Sequence, residues 1–254
     1  VILLAKETSY LQEIAVYEAN QLYGEMGKFR FLQFSDEAIQ GAVDLRNPER
    51  IVLEYPRAMI HLMEHHRPGF QRLFMIGHGV GTIAAHYPDK QVTVAEIDEA
   101  VVALSRTYFN YSQDNVLIGD GRQLLAEQAN DALDYIIVDA FTKEGTPGHL
   151  NTVEFFKLAK DKLAGAGIIL MNLAGKAQGD KRIEAIHASL AHLFPHTKVF
   201  ILPAKDREEQ RNMLLTGSGE PITYDPQAMA GFTEIALEPG YVMRDKNTLL
   251  SSRS

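Results

Sequence analysis

The stretch "FMIGHGVGTIAAHYP", residues 74–88, decides how the rest of the chain is read. A short apolar run stops at three closely spaced glycines, Gly77, Gly79 and Gly81, and a helix-like segment follows. Glycines after a strand permit a tight turn and let a ligand approach the backbone, and a following helix N-terminus favours electron-rich groups. The spacing is G-x-G-x-G, not the G-x-G-x-x-G of dinucleotide sites. A mere tight turn would leave the same trace, so the rest of the chain has to decide between the two.

Outward from this turn the same unit repeats. "RLFMI" leads into the glycines, "QVTVAEID" into the helical "EAVVALSRTYF", and "NVLIG" into "DGRQLLAEQ". "LDYIIVDAF" precedes "NTVEFFKLAKDKLA", whose Phe155, Phe156 and Leu158 read as core, and "GIILMNLAG" precedes "DKRIEAIHASLAHLF". Apolar runs alternating with amphipathic helices predict a parallel sheet covered on both faces. The last two strands, "KVFILPA" and "RNMLLTGS", are separated only by a charged loop. That is too little chain for a parallel crossover, so they should form an antiparallel hairpin. Five parallel strands closed by such a hairpin is the layout of a class I methyltransferase-type, Rossmann-like domain.

The chain before this domain has another rhythm. "QEIAVYEA", "KFRFLQFS" and "AIQGAVDL" are short, β-branched and aromatic, and predict a small antiparallel β-meander. "IVLEYPRAMIHLMEHH" then has helical spacing, with Pro56 suited to its first turn. The expected organisation is a β-domain over 1–50, a nucleoside-binding α/β domain over 51–242 and a disordered tail over 243–254.

The 254 residues, 46% of them hydrophobic, suffice for a sizeable core. No window approaches the roughly 18 apolar residues of a membrane span, so a soluble chain is expected. The apolar part of the opening "VILLAKETSY" is too short for a secretory leader. The absence of cysteine excludes thiolate metal sites and a cysteine nucleophile, and fits a cytoplasmic protein. A net charge of −8 argues against a nucleic-acid partner. Neither a G-x-S-x-G elbow nor a G-K-[ST] phosphate loop is present.

Ligands of open α/β sheets bind at the carboxyl ends of the strands, and three successive ends carry an acid. Glu96 closes the second parallel strand, placed to accept hydrogen bonds from both ribose hydroxyls. Asp120, followed by Gly121, closes the third, and Asp139 the fourth. Asp98 and Asp120 could equally cap helices. The series favours a nucleoside site.

With these motifs assembled, the chain resembles the spermidine and spermine synthase family, the polyamine aminopropyltransferases. "LQFSDEAIQ" is similar to the family's L-x-L-D-G-x-x-Q segment, with Gln40 on its glutamine. "YPRAMIH" resembles Y-H-E-M-L-V-H at Tyr55 and His61, and "IGHGVGT" resembles I-G-G-G-D-G-G. "VAEID", "GDGRQLL" and "YIIVDAF…LNTVEFF" match further family segments. The resemblance implies a homodimer that moves an aminopropyl group from decarboxylated S-adenosylmethionine to an amine, leaving methylthioadenosine. It implies Glu96 on the ribose, Asp120 on the adenine amino group, Gln40 in the nucleoside pocket and Asp139 facing the reacting amine.

Several family acids are missing. Val80 stands where the aspartate for the donor ammonium is expected, Thr142 and Lys143 replace a second aspartate and its proline, and Pro56 and Arg57 replace His-Glu. One reading keeps aminopropyl transfer, with Glu144 or Asp44 in replacement roles. Another keeps the nucleoside pocket for intact S-adenosylmethionine, as a methyltransferase or a transferase with a non-polyamine acceptor, with Arg57 facing a carboxylate. A third is a catalytically silent nucleoside-binding relative. Tyr55 is a candidate to contact the amine or merely packs at a helix start. Asn172 is a pocket residue or a backbone partner, and His78 touches the ligand or points to solvent. His61, His65 and His66 fall at helical spacing without the carboxylate of an H-E-x-x-H site, so no metal is expected.

Overall fold

The computed structural model describes residues 1–9, 11–34, 39–142, 145–204, 206 and 209–246. The chain opens with a four-stranded antiparallel meander, β1 (Ile2–Thr8), β2 (Glu13–Leu22), β3 (Glu25–Phe34) and β4 (Ile39–Asp44), paired in chain order. β1 was not expected. Its sequence, "ILLAKET", puts Ile2 and Leu3 largely in solvent on an edge strand, so it lacks the half-buried alternation that marks the other three.

Helix α1 (Glu54–His66) follows, with Pro56 in its first turn and Ala58, Met59, Leu62 and Met63 buried. Then comes the strand–helix alternation: β5 (Arg72–Ile76), α2 (Thr82–His86), β6 (Gln91–Glu96), α3 (Glu99–Phe109), β7 (Val116–Ile118), α4 (Gly121–Ala126), β8 (Leu133–Val138), α5 (Val153–Lys162), β9 (Leu163–Gly175) and α6 (Lys181–Ala191). β10 (His196–Ile201), β11 (Arg211–Ser218) and β12 (Thr233–Ile235) complete an eight-stranded sheet of order β12-β10-β11-β9-β8-β5-β6-β7. β7, β6, β5, β8 and β9 run parallel, and β11 and β10 are the antiparallel hairpin that the short charged connection predicts. β12 is too short to leave a periodic signal.

β8 is buried at every position, as expected of a central parallel strand with helices on both faces. One apolar layer gathers α1, α2 and one face of the sheet around Met59, Met63, Phe70 and Tyr135, and the other gathers α5 and α6 around Phe155, Phe156 and Ile186. Leu158 only packs against the edge of that second layer.

A third cluster joins the two sheets. Ile14, Val16 and Leu32 of the meander pack with Val80, Val101, Leu104 and Phe109. Gly41 fits this contact closely, since a Cβ there would lie 2.4 Å from a Val80 methyl. The position read as a lost donor contact is therefore a plug between the meander and α3.

The segment 243–246, expected to belong to a disordered tail, is tied down. The Met243 N–H donates to Ser189 Oγ at 2.8 Å, its carbonyl accepts from the Val153 N–H at 2.9 Å, and Asp245 accepts from Arg122 and Thr152. Side chains of α4 and α6 and the start of α5 thus supply partners that polar composition alone does not reveal. Residues 247–254 lie outside the described residues.

Candidate active site

The carboxyl ends of β5, β6, β7 and β8 open into a cavity of about 270 Å³. Gly77, Gly79, Glu96, Asp120, Gly121, Gln40 and Asp139 all line it, so the sequence candidates from five segments meet in one place. Gly81 does not. It adopts φ 84° as the cap of α2 and packs on Tyr111. Gly77, at φ 101°, has the Asp139 carbonyl so close that a Cβ would lie 2.1 Å from it, so no other residue fits there without displacing the β8 end.

Glu96 is buried and its two oxygens accept from the His78 and Asp98 N–H groups, both at 2.9 Å. Burial raises its pKa, and those N–H groups oppose the rise. The Ile97 N–H bonds the same carboxylate. Asp120 caps α4 through Gln123 N at 2.9 Å and also accepts from His149 Nε2 at 2.8 Å. Asp98 caps α3. Both helix-capping alternatives hold for these two acids.

His78 lines the cavity and does not face solvent. Its side chain is buried, pairs with Ser105 Oγ at 2.8 Å and stacks edge-on against Tyr111. Burial lowers its pKa to about 4, so it is neutral. Ser105 donates to the Val102 carbonyl, which leaves its oxygen to accept from His78 Nε2.

A second cavity of about 420 Å³ adjoins the first and shares Gln40, Asp139, Phe141 and Thr142 with it. Asp139 therefore stands on the common wall. Asn172, on β9, donates to its Oδ1 at 2.8 Å and is held in turn by Asn212 Nδ2 of β11 at 3.0 Å. The Tyr55 hydroxyl, 3.4 Å from the Gln40 carbonyl, also interacts with Asp139. Burial pushes the Asp139 carboxyl up to about 6, against the pull of the Asn172 and Tyr55 hydrogen bonds. Burial, with Asp139 nearby, drives the Tyr55 phenol up, so it stays protonated and donates.

Asn172 was anticipated and Asn212 was not, because its role depends on the antiparallel register of β11 beside β9. Asp44, offered as a replacement acid, and Arg57, offered as the partner of a donor carboxylate, both lie away from the cavities. Asp44 accepts from Arg46 N and pairs with Arg50, lining neither cavity. Arg57 is exposed on α1 beside Glu54, 3.9 Å away, and lines neither cavity. Lys143 and Glu144 lie outside the described residues.

Two histidines of α1 serve the backbone: His61 Nε2 accepts from Asp225 N at 2.9 Å, and His66 lies 3.4 Å from Thr223 N, while His65 packs its ring against His61. Among the described residues no three His, Asp or Glu side chains gather as a metal site, and no helix is long and apolar enough to cross a membrane.

The family model described as the spermine/spermidine synthase domain matches residues 53–216, more than half of the chain. The chain belongs to the spermine/spermidine synthase family. Among curated relatives of this family member, the polyamine aminopropyltransferase of Chromobacterium violaceum is 29% identical over 192 residues, 71% of this chain and 70% of the relative. That of Neisseria meningitidis is 28% identical over 189 residues, with the same shares. Solved structures share the fold. A probable spermidine synthase from Corynebacterium glutamicum superposes with TM-score 0.81 at 19% identity, covering 99% of this chain and 98% of that one. Human methyltransferase-like protein 13 superposes at TM-score 0.56 and 20% identity, covering 70% and 87%.

Proposed function

We propose that this synthase-family transferase moves an aminopropyl group from decarboxylated S-adenosylmethionine to an amine, the chemistry of polyamine biosynthesis. The observation that carries the reading is Asp139 on the wall between two cavities, with its carboxyl near 6 and oriented by Asn172 and Tyr55. The donor's nucleoside would occupy the smaller cavity, with Glu96 on the ribose hydroxyls, Asp120 beside the adenine amino group and Gln40 over the sugar. The acceptor would enter the larger one.

The acceptor must attack as a free amine, yet an alkylamine with pKa of about 10.4 is nearly all protonated at neutral pH. Asp139 sits where a carboxylate can take or relay that proton, and Tyr55 can help aim the nitrogen. The nitrogen lone pair attacks the methylene next to the sulfonium. The carbon–sulfur bond breaks with its electrons going to sulfur, which leaves neutral methylthioadenosine. The new ammonium passes a proton to Asp139 or water.

The reading includes a cytoplasmic homodimer with no nucleic-acid partner, and two domains divided near residue 50. Gel filtration with light scattering would check the dimer. Turnover is tested by methylthioadenosine release from the decarboxylated donor with and without amine. Release that requires amine supports the reading, and amine-independent release or none would refute it.

A further inference from the structure

Asp120 and His149 both line the nucleoside cavity, and both also line a groove on its outer side, together with Arg122, Gln123, Ala126 and Leu158. The pair is thus the partition between the two. His149 Nε2 donates to Asp120 Oδ2 at 2.8 Å, and the Gln123 N–H donates to Oδ1 at 2.9 Å. One donor on each oxygen fixes the plane of the carboxylate. A carboxylate offers about four lone-pair sites, so capacity remains for a donor inside the cavity.

The His149–Asp120 contact is exposed, and exposed contacts of this kind add little to stability. Its consequence is a direction. The cation that competes for Asp120 is Arg122. The Arg122 pKa is raised first by its Asp245 hydrogen bonds and, against burial, by Glu154 and Asp120 through space, so the guanidinium lies within electrostatic reach of Asp120. Yet it is engaged elsewhere. It spans both Asp245 oxygens at 2.9 and 2.7 Å and donates to the His149 carbonyl at 3.0 Å. Such a bidentate fork is strong and directional. Asp245 is anchored in turn, accepting from Thr152 Oγ at 2.7 Å and donating its own N–H to Glu154 at 2.9 Å. Asp245 therefore keeps Arg122 off Asp120, and Arg122 holds the turn Gly148–Leu150 that carries the His149 ring.

We infer that His149 is a positioning residue for nucleobase recognition, its ring holding Asp120 toward the cavity while the Arg122–Asp245 pair withdraws the cation that would draw Asp120 outward. The inference rests on the proposed placement of the adenine amino group beside Asp120 and adds the residues that make this acid selective. The preference they enforce is for a 6-aminopurine nucleoside over a 6-oxopurine one. An amino group donates to the carboxylate, whereas a 6-oxo group sets acceptor against acceptor.

The test is calorimetric titration with methylthioadenosine and its 6-oxo analogue, methylthioinosine, read as the ratio of the two affinities. The parent should prefer the amino compound by roughly 10–100-fold, the usual effect of a hydrogen bond to a charged group. His149→Ala should cut that ratio at least ~5-fold, and His149→Gln, which keeps an N–H donor, should restore part of it. Asp245→Ala, which releases Arg122, should lower the ratio in the same direction. In an Asp120→Asn background, His149→Ala should leave the ratio unchanged, because its effect passes through Asp120. Retained methylthioadenosine binding reports that a variant is folded. If His149→Ala binds neither compound, His149→Phe, which fills the space without a donor, supplies the same comparison. A ratio that survives His149→Ala, or that falls equally in the Asp120→Asn background, overturns the inference and leaves Asp120 at the base. A parent that shows no preference, or binds neither compound, overturns it together with the placement of Asp120. The aminopropyl reading fails separately, if no amine releases methylthioadenosine from the decarboxylated donor.

Discussion

Asn172 donates to Asp139 at 2.8 Å from the neighbouring strand, and together with Tyr55 it orients the carboxylate on the wall between the two cavities. The bond also lowers a pKa that burial raises. Asn172→Leu should therefore push the Asp139 pKa above about 6. The carboxylate must be ionised to receive a proton, so kcat at saturating acceptor should fall as pH drops through about 6 in the parent, and at higher pH in the variant. An acid limb that stays in place would show that Asn172 does not tune Asp139.

Asp139→Asn should cut kcat by about 10²–10⁴-fold, the usual worth of a positioned base, while methylthioadenosine affinity changes little. The same variant should be more stable at neutral pH. A carboxyl raised in the fold from 3.8 to about 6 contributes stability only below its unfolded value, and this is lost as pH rises through 6. Because Asp139 is partly open to the cavities, the gain is at most ~3 kcal/mol by linkage. Thermal melts at pH 7.5 and pH 4 would read it as a rise in Tm that shrinks in acid.

Glu96→Gln should weaken methylthioadenosine binding by roughly 10–100-fold, because charge-assisted hydrogen bonds are lost to the ligand and to the His78 and Asp98 N–H groups. Calorimetry measures it directly. Unchanged affinity would remove Glu96 from the nucleoside site.

Val80→Asp, the change that superficially restores a family acid, should not tighten the decarboxylated donor. Val80 is 5% exposed in the cluster that holds Leu32 and Leu104 and fits closely against Gly41, so an aspartate would bury an unpaired carboxylate or force the meander away. We expect a loss of ~3 kcal/mol or more in stability, read in denaturant unfolding. Tighter donor binding at intact stability would contradict the plug role.

The legible parts of this chain were those with period or covalent pattern. Alternating apolar runs and helices predict the parallel sheet, the short charged loop 205–210 predicts the antiparallel pair, and glycines plus strand-end acids mark the cavity at the carboxyl ends of the strands. What depended on three-dimensional register was not legible. Asn212 reaches Asn172 only across two strands, and Arg182 enters the cavity from a helix start far along the chain. Val80 looked like a site residue because the loop around it is one, while its side chain turns into the apolar seam with the meander. The exposed edge strand β1 and the pinned segment 243–246 escaped notice for a related reason, since their partners lie elsewhere in the fold.

The most direct test of the central claim is methylthioadenosine release from decarboxylated S-adenosylmethionine by the parent and Asp139→Asn, with and without a panel of amines. The account predicts release that depends on amine, is stoichiometric with an aminopropylated product, and collapses in Asp139→Asn although the nucleoside still binds. Release that ignores the amine, or that survives the loss of the Asp139 carboxylate, would contradict it.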